Sequence, residues 1–223
     1  MFEGFSPQTI DFMWGIRFNN EKSWFEAHKE EYRAVLQRPM RLLAEEVEDR
    51  FSEKHPELNL DLHVSRIYRD ARRLHGNGPY KDHLWFTLRR MEEDWTDCPV
   101  FWFELDPDVL SYGLGYYSAG ALTMAKLRAR MDRDPRPMKK LAKLLASQSE
   151  FVLEGVSYAR PKGDPGGGLS EWYNKKTFSI IHEEEISEEI YSPELAERVT
   201  EGFSFLVPFY KYFSTLPSDP DPK

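Results

Sequence analysis

Seven cations, Arg66, Arg69, Arg72, Arg73, Lys81, Arg89 and Arg90, fall between residues 64 and 90, where only Asp70 and Asp82 oppose them. That is a local charge of +5 in a chain whose formal net charge is -8. Guanidinium groups present planar, paired donors that match phosphate and carboxylate oxygens, and a neighbouring Asp can hold them in place. The run Arg69-Asp70-x-Arg72 has that composition. In Pro79-Tyr80-Lys81 the proline sets a turn, the tyrosine offers a hydroxyl and the lysine a point charge. His83 follows two residues later on the same face of an extended chain and can move a proton near neutral pH. The expectation is an anion-binding cleft of Arg69, Arg72, Tyr80 and Lys81, with His83 and Asp70 as candidate catalytic groups.

Two other readings use the same residues. In one, Asp70 pairs with an arginine to fasten loop to sheet, Tyr80 is half-buried and Lys81 is solvated, because ion-pair networks are also structural. In the other, the basic face, with Arg89 and Arg90 exposed, docks an acidic protein segment or a nucleic-acid backbone. Metal binding is not expected: His55, His63, His75 and His83 lack zinc-type spacing and there is no cysteine pair. Asp70, Asp82 and His83 could meet around a divalent ion only in space. No cofactor is expected. Gly113-x-Gly115 ahead of a helix is similar to a phosphate-cradling turn, yet such glycines also simply let a strand twist. His28 lies in an aromatic helix stripe and reads as packed, and Cys98 as a small buried residue.

These groups need elements to position them. Ser6-Pro7 starts a helix, the hydroxyl capping and the proline fitting the first turn. Ile10, Met13, Trp14 and Phe18 continue it, and Asn19-Asn20 ends it and caps the next. Trp24, His28 and Tyr32 stripe a second helix; Pro39 breaks or kinks the chain before a third striped by Leu43, Val47 and Phe51. From residue 60 the period changes to two, predicting strands at 62–68, 83–89, 100–105 and 109–116, with short connections that favour antiparallel neighbours. In the second strand Lys81, His83, Trp85, Thr87 and Arg89 would share one face, opposite Leu84, Phe86 and Leu88, with Trp85 and Trp102 able to line a cleft. Helices are predicted at 119–132 and 135–147, a strand at 151–160, a mobile loop at 161–168 (PKGDPGGG), and a long helix from Ser192-Pro193 carrying Pro208. The acidic run at 183–201 reads as a wet helix face. The expectation is one α+β domain over 1–216, a mainly antiparallel curved sheet flanked by N-terminal and C-terminal helices, with a disordered tail at 217–223.

With 223 residues, 40% hydrophobic and 30% charged, the chain can bury a sizeable core. A pI of about 5.4 argues against a general nucleic-acid coat or an anionic-membrane binder, and the basic cluster at 64–90 makes a small anion the expected partner. One cysteine and no basic, apolar leader suit the cytoplasm, and no apolar run is long enough to span a bilayer.

Three stretches together resemble a bacterial and fungal family, number 2461 among the domains of unknown function. They are NNEKSWFEAHKEEY (19–32), RIYRDARRLHGNGPYK (66–81) and GLGYYSAGALTMAKLR (113–128), with Pro208 and its flanking aromatics also fitting. The resemblance implies a single α+β domain in an intracellular bacterial setting and carries no established activity. Arg69, Asp70, Arg72, Pro79, Tyr80 and Lys81 match the family's central motif. Arg73, Leu74, Gly76 and Asn77 depart from it, standing where the family usually has Phe, Ser, Asp and Lys.

Overall fold

In the computed structural model, which describes residues 1–70, 72, 74, 78–91 and 97–222, the protein is an α+β fold around a six-stranded antiparallel sheet. Arg73, His75, Gly76 and Asn77 lie outside the described residues. The strands are β1 (Asp61–Val64), β2 (Leu84–Arg89), β3 (Pro99–Leu105), β4 (Val109–Tyr116), β5 (Val152–Glu154) and β6 (Ser179–Glu185), in the order β1-β2-β3-β4-β6-β5. The N-terminal helices are α1 (Pro7–Phe18), α2 (Lys22–Ala27), α3 (Lys29–Tyr32) and α4 (Arg38–Lys54). Then come α5 (Ala121–Arg133), α6 (Arg136–Ala146), α7 (Ser170–Tyr173) and the closing α8 (Glu194–Phe213). Among the described residues no helix is long and apolar enough to cross a membrane.

The chain divides into two compact units, unit 1 comprising Met1–Leu88, Trp102–Tyr112 and Glu183–Ser204, and unit 2 comprising Arg89–Phe101, Gly113–His182 and Phe205–Lys223. In unit 1 the alternation of β2 turns Leu84, Phe86 and Leu88 inward. Phe86 stacks on Phe103 at 5.2 Å, and Phe203 meets Phe51 edge-on at 6.0 Å. Each such ring contributes roughly 1.5–3 kcal/mol by leaving water. In unit 2 Trp172, Phe178 and Phe213 close a second aromatic cluster, Phe178 lying 5.0 Å from Phe213 and 5.4 Å from Trp172.

Helix α1 begins as its sequence requires: Pro7 fills the first turn and the Ser6 N–H donates to Thr9 Oγ1 at 3.1 Å. Pro39 has a more specific effect than a kink. It has no N–H to give Val35, and the turn before it widens into a π-helical segment, Arg33–Gln37, in which the Arg38 N–H reaches back to Arg33 O. The stranded Val35 carbonyl is met by the buried Thr9 hydroxyl at 2.6 Å.

Two expected strands end early. Instead of running to residue 68, β1 stops at Val64, because Ser65 Oγ accepts the Trp85 N–H at 3.0 Å and ends the regular ladder. The strand expected at 151–160 is only Val152–Glu154: Gly155 turns away at φ +124, where any Cβ would sit 2.2 Å from Thr177 O. Of the two readings of Gly113-x-Gly115, the strand reading fits: both glycines lie in β4, where a Cβ on Gly113 would meet Ile180 O at 2.1 Å, so the pair permits close strand approach. The N-terminus of α5 is filled by Asp97, whose carboxylate accepts from Gly120 N at 2.6 Å and Thr123 Oγ1 at 2.5 Å. Cys98 is half-buried. Asp219, in the stretch expected to be disordered, accepts from Arg130 Nε at 2.6 Å.

Candidate functional site

The residues expected to form one cleft are placed in three different settings within unit 1. Arg72 and Asp70 close on each other: Arg72 donates through Nε at 3.0 Å and Nη2 at 2.8 Å, with its side chain 88% exposed. Tyr80 turns into the core, its ring stacked on Phe25 at 4.2 Å and beside Tyr68 at 5.5 Å. Its backbone is clamped, with N–H donating to Asn20 Oδ1 at 3.0 Å and C=O accepting from Asn20 Nδ2 at 2.9 Å and Arg69 Nε at 2.7 Å. Asn20 is therefore spent on this clamp while Glu21 starts α2; a Cβ on Gly78 would strike Asn20 Oδ1 at 2.2 Å, which is why a glycine stands there. The Tyr68–Tyr80 bridge, with Lys81 N–H to Ile67 O at 2.7 Å, holds the two segments together.

Lys81 and His83 stay near one another but face a different centre. Lys81 Nζ donates to Arg66 O at 2.5 Å and lies 5.3 Å over the Trp85 ring. Burial lowers its pKa, and the charges of Arg69 and Arg66 push the same way. His83 Nδ1 lies 3.1 Å from Asp82 Oδ1. Asp82 in turn belongs to a cluster built on Arg17, from the last turn of α1. Arg17 donates to Asp82 at 2.6 Å, Asp106 at 2.8 Å and Asp108 at 2.5 Å. The Asp106–Asp108 turn is locked by Asp108 N–H to Asp106 Oδ1 at 3.0 Å and Asp106 N–H to Val109 O at 2.9 Å. Hydrogen bonds from His83 and Arg17 outweigh burial and hold the Asp82 carboxyl well below its usual range. Burial opposes the Arg17 charge, but its bonds to Asp108 and Asp82 overcome that and raise its pKa. Glu104 nearby is pushed up by burial, partly offset by His83.

This cluster could hold a cation. One ligand atom from each of Asp82, His83 and Asp106 lies within 4.8 Å of the others. Asp106, not Asp70, is the third donor. Both carboxylates already carry a bond from Arg17, so the guanidinium supplies the positive charge a metal would bring. His28 packs as its stripe suggests, 4.0 Å from Trp24 with Nδ1 2.8 Å from Trp24 O.

A cavity lies elsewhere in unit 1, and sequence reasoning missed most of it. It has a volume of about 280 Å³ and opens between the α2–α4 segment and the chain leaving β1. Phe25, Ile67 and Leu84 floor it, with Tyr32, Ser65 and Tyr68 on its walls. Its rim carries four cations, Lys29, Arg33, Arg41 and Arg66. Lys29 shares its charge with Glu26 at 3.2 Å and Arg33 with Glu30 at 2.5 Å, both on their own helical turn. Neither Arg41 nor Arg66 has a carboxylate at ion-pair distance among the described residues. The π turn forms one side through Arg33 and Gln37, and such turns often accompany binding sites. Burial and neighbouring Tyr68 push the Tyr32 hydroxyl up to about 12, against the Ile67 N–H and the Arg41 charge, so at neutral pH it remains a donor. Among the described residues, Arg66 alone of the cations counted between 64 and 90 lines this space. The available signal was a proline inside a helical stripe with Arg33 and Arg41 flanking it.

Compared with known proteins, the chain matches one family model over residues 8–212, described as "Conserved hypothetical protein (DUF2461)". No curated protein matches it.

Proposed function

We propose that this chain, which belongs to the DUF2461 family of conserved hypothetical proteins, binds a small phosphate- or carboxylate-bearing ligand in the unit 1 cavity. Membership brings no activity with it. The observation that carries the reading is the pair Arg41 and Arg66, at the rim of a formed cavity and without carboxylate partners among the described residues. Those two arginines take the anion by charge-assisted hydrogen bonds, and Lys29 and Arg33 add to the local field. Tyr32 donates its phenolic O–H, while Phe25 and Tyr68 face the apolar part of the ligand. At about 280 Å³ the cavity sits at the low end of ligand pockets, which favours a metabolite-sized molecule over a dinucleotide. His83 and Asp70 do not line it, so the proposal is one of binding, with no proton transfer assigned to them.

The test is calorimetric titration of inorganic phosphate and of citrate, at constant ionic strength, into the wild-type chain and an Arg41→Gln/Arg66→Gln variant. Saturable binding that the variant weakens about tenfold or more supports the proposal. Binding that the variant retains in full, or none to wild type, overturns it. A docking surface for an acidic protein segment would instead bind an acidic peptide with steep salt dependence and show no saturation by the small anions.

A further inference from the structure

Unit 2 holds a second gathering of positive charge, with a different architecture. Three cations from three segments converge on the Tyr158 ring: Arg128 of α5 at 5.3 Å, Lys162 of the glycine-rich loop at 4.7 Å and Lys176 ahead of β6 at 5.8 Å. The ring's quadrupole attracts each of them, but it carries no net charge and leaves their mutual repulsion uncancelled. None of the three has a carboxylate at ion-pair distance among the described residues. Nearby acids are engaged by other groups: Asp132 accepts from the Tyr173 hydroxyl at 3.0 Å, and Glu171 pairs with Lys175 at 3.4 Å. Arg128 Nη1 is shut off from solvent and has no hydrogen-bond partner. An unpaired donor on a charged group is costly to bury, and an acceptor supplied from outside the chain removes that cost.

The groups are also held in place. Asn174 accepts the Lys162 N–H at 2.6 Å and donates to Gly163 O at 2.9 Å, fixing the point from which Lys162 extends. Tyr158 N–H to Asn174 O at 2.9 Å and Lys176 N–H to Val156 O at 2.7 Å set the ring and the second lysine against each other across a short ladder. Lys162 and Lys176 are exposed while Tyr158 and Arg128 are half-buried, so both lysine charges are open to solvent beside the ring.

We infer that Arg128, Lys162 and Lys176 form a second anion site that takes the phosphate group of a small phosphorylated molecule, with Tyr158 as its wall. Three donors carried on separate segments suit a tetrahedral phosphate better than a planar carboxylate, and a dianion offsets more of the clustered charge. This site shares no residue with the unit 1 cavity, and each can fail alone. To test it, inorganic phosphate is titrated into the whole chain carrying Arg41→Gln/Arg66→Gln, with and without Lys162→Gln/Lys176→Gln. Amide shifts in NMR spectra report where phosphate binds. Both lysines are exposed, so their replacement leaves the fold intact, which the spectra check directly. The expected result is residual binding with shifts at Tyr158, Lys162 and Lys176, weakened about tenfold or more without the two lysines. No binding in the first variant, shifts centred elsewhere, or unchanged affinity without the lysines would overturn the inference.

Discussion

Unit 1 contains two groups of charges that use the same residue types to opposite ends. Around Arg17 the cation is met by Asp82, Asp106 and Asp108, and Arg69 adds a second contact to Asp82 at 3.5 Å. Around the cavity, Arg41 and Arg66 stand without such partners among the described residues, while Lys29 and Arg33 have local ones. The first group ties helix α1 to the β3–β4 turn and to the start of β2. The second is not neutralised by the described residues around it. Whether a basic cluster serves the fold or a ligand thus depends on where the carboxylates lie, and counting cations along the sequence does not reveal it.

Breaking the paired group should have the largest effect. Arg17→Leu takes the cation from Asp106 and leaves Asp82 only the longer Arg69 contact and His83, and it should cost about 3 kcal/mol in urea unfolding, the low end for a buried pair because Arg17 is 27% and Asp82 17% exposed. A loss below about 1 kcal/mol would reduce the cluster to an ordinary surface ion pair. Acid probes the same group with a definite sign. The folded pKa of Asp82 is depressed, so its stabilisation is present above the unfolded value of about 3.9 and is lost as pH falls below it. The stability gap between wild type and Asp82→Asn should therefore shrink by about 2 kcal/mol between pH 5 and pH 2 in urea titrations.

The unpaired group should respond in the reverse manner. Arg41→Gln/Arg66→Gln should leave stability within about 0.5 kcal/mol of wild type, yet weaken phosphate binding about tenfold or more in calorimetry. Smallest of all is Arg72→Ala. That side chain reaches into solvent with Asp70 as its partner, so the melting temperature and phosphate affinity should both stay where they are. A clear fall in affinity would return the site to the Arg69–Arg72 motif.

Much of the scaffold was legible from period and punctuation. The strand expected at 109–116 is β4, whereas the second helix expected to carry Trp24, His28 and Tyr32 is broken at His28 into α2 and α3, with Trp24 and His28 still stacked. Endings set by a side chain were not legible: nothing local marks Ser65 as the residue whose hydroxyl takes over the β1 ladder. The Arg17 cluster was hidden for a related reason, since its partners lie 65, 89 and 91 residues away and only the fold brings them together. The motif at 69–72 looked chemical because its cations and acid are adjacent, and that adjacency lets Asp70 and Arg72 satisfy each other. Pro39 was recognised as a break, but the π turn it forces, which helps shape the cavity, leaves a Val35 carbonyl that is satisfied by Thr9 from 26 residues away, a partner no local pattern reveals.

The most direct measurement is a phosphate titration followed by amide chemical shifts in the wild-type chain. The distinction drawn between the two unit 1 groups predicts saturable shifts at Ser65, Ile67 and Tyr68 and along Lys29–Arg41, with Asp82, Asp106 and Asp108 left in place. Shifts centred on Asp82, His83 and Asp106, with the cavity residues silent, would contradict it.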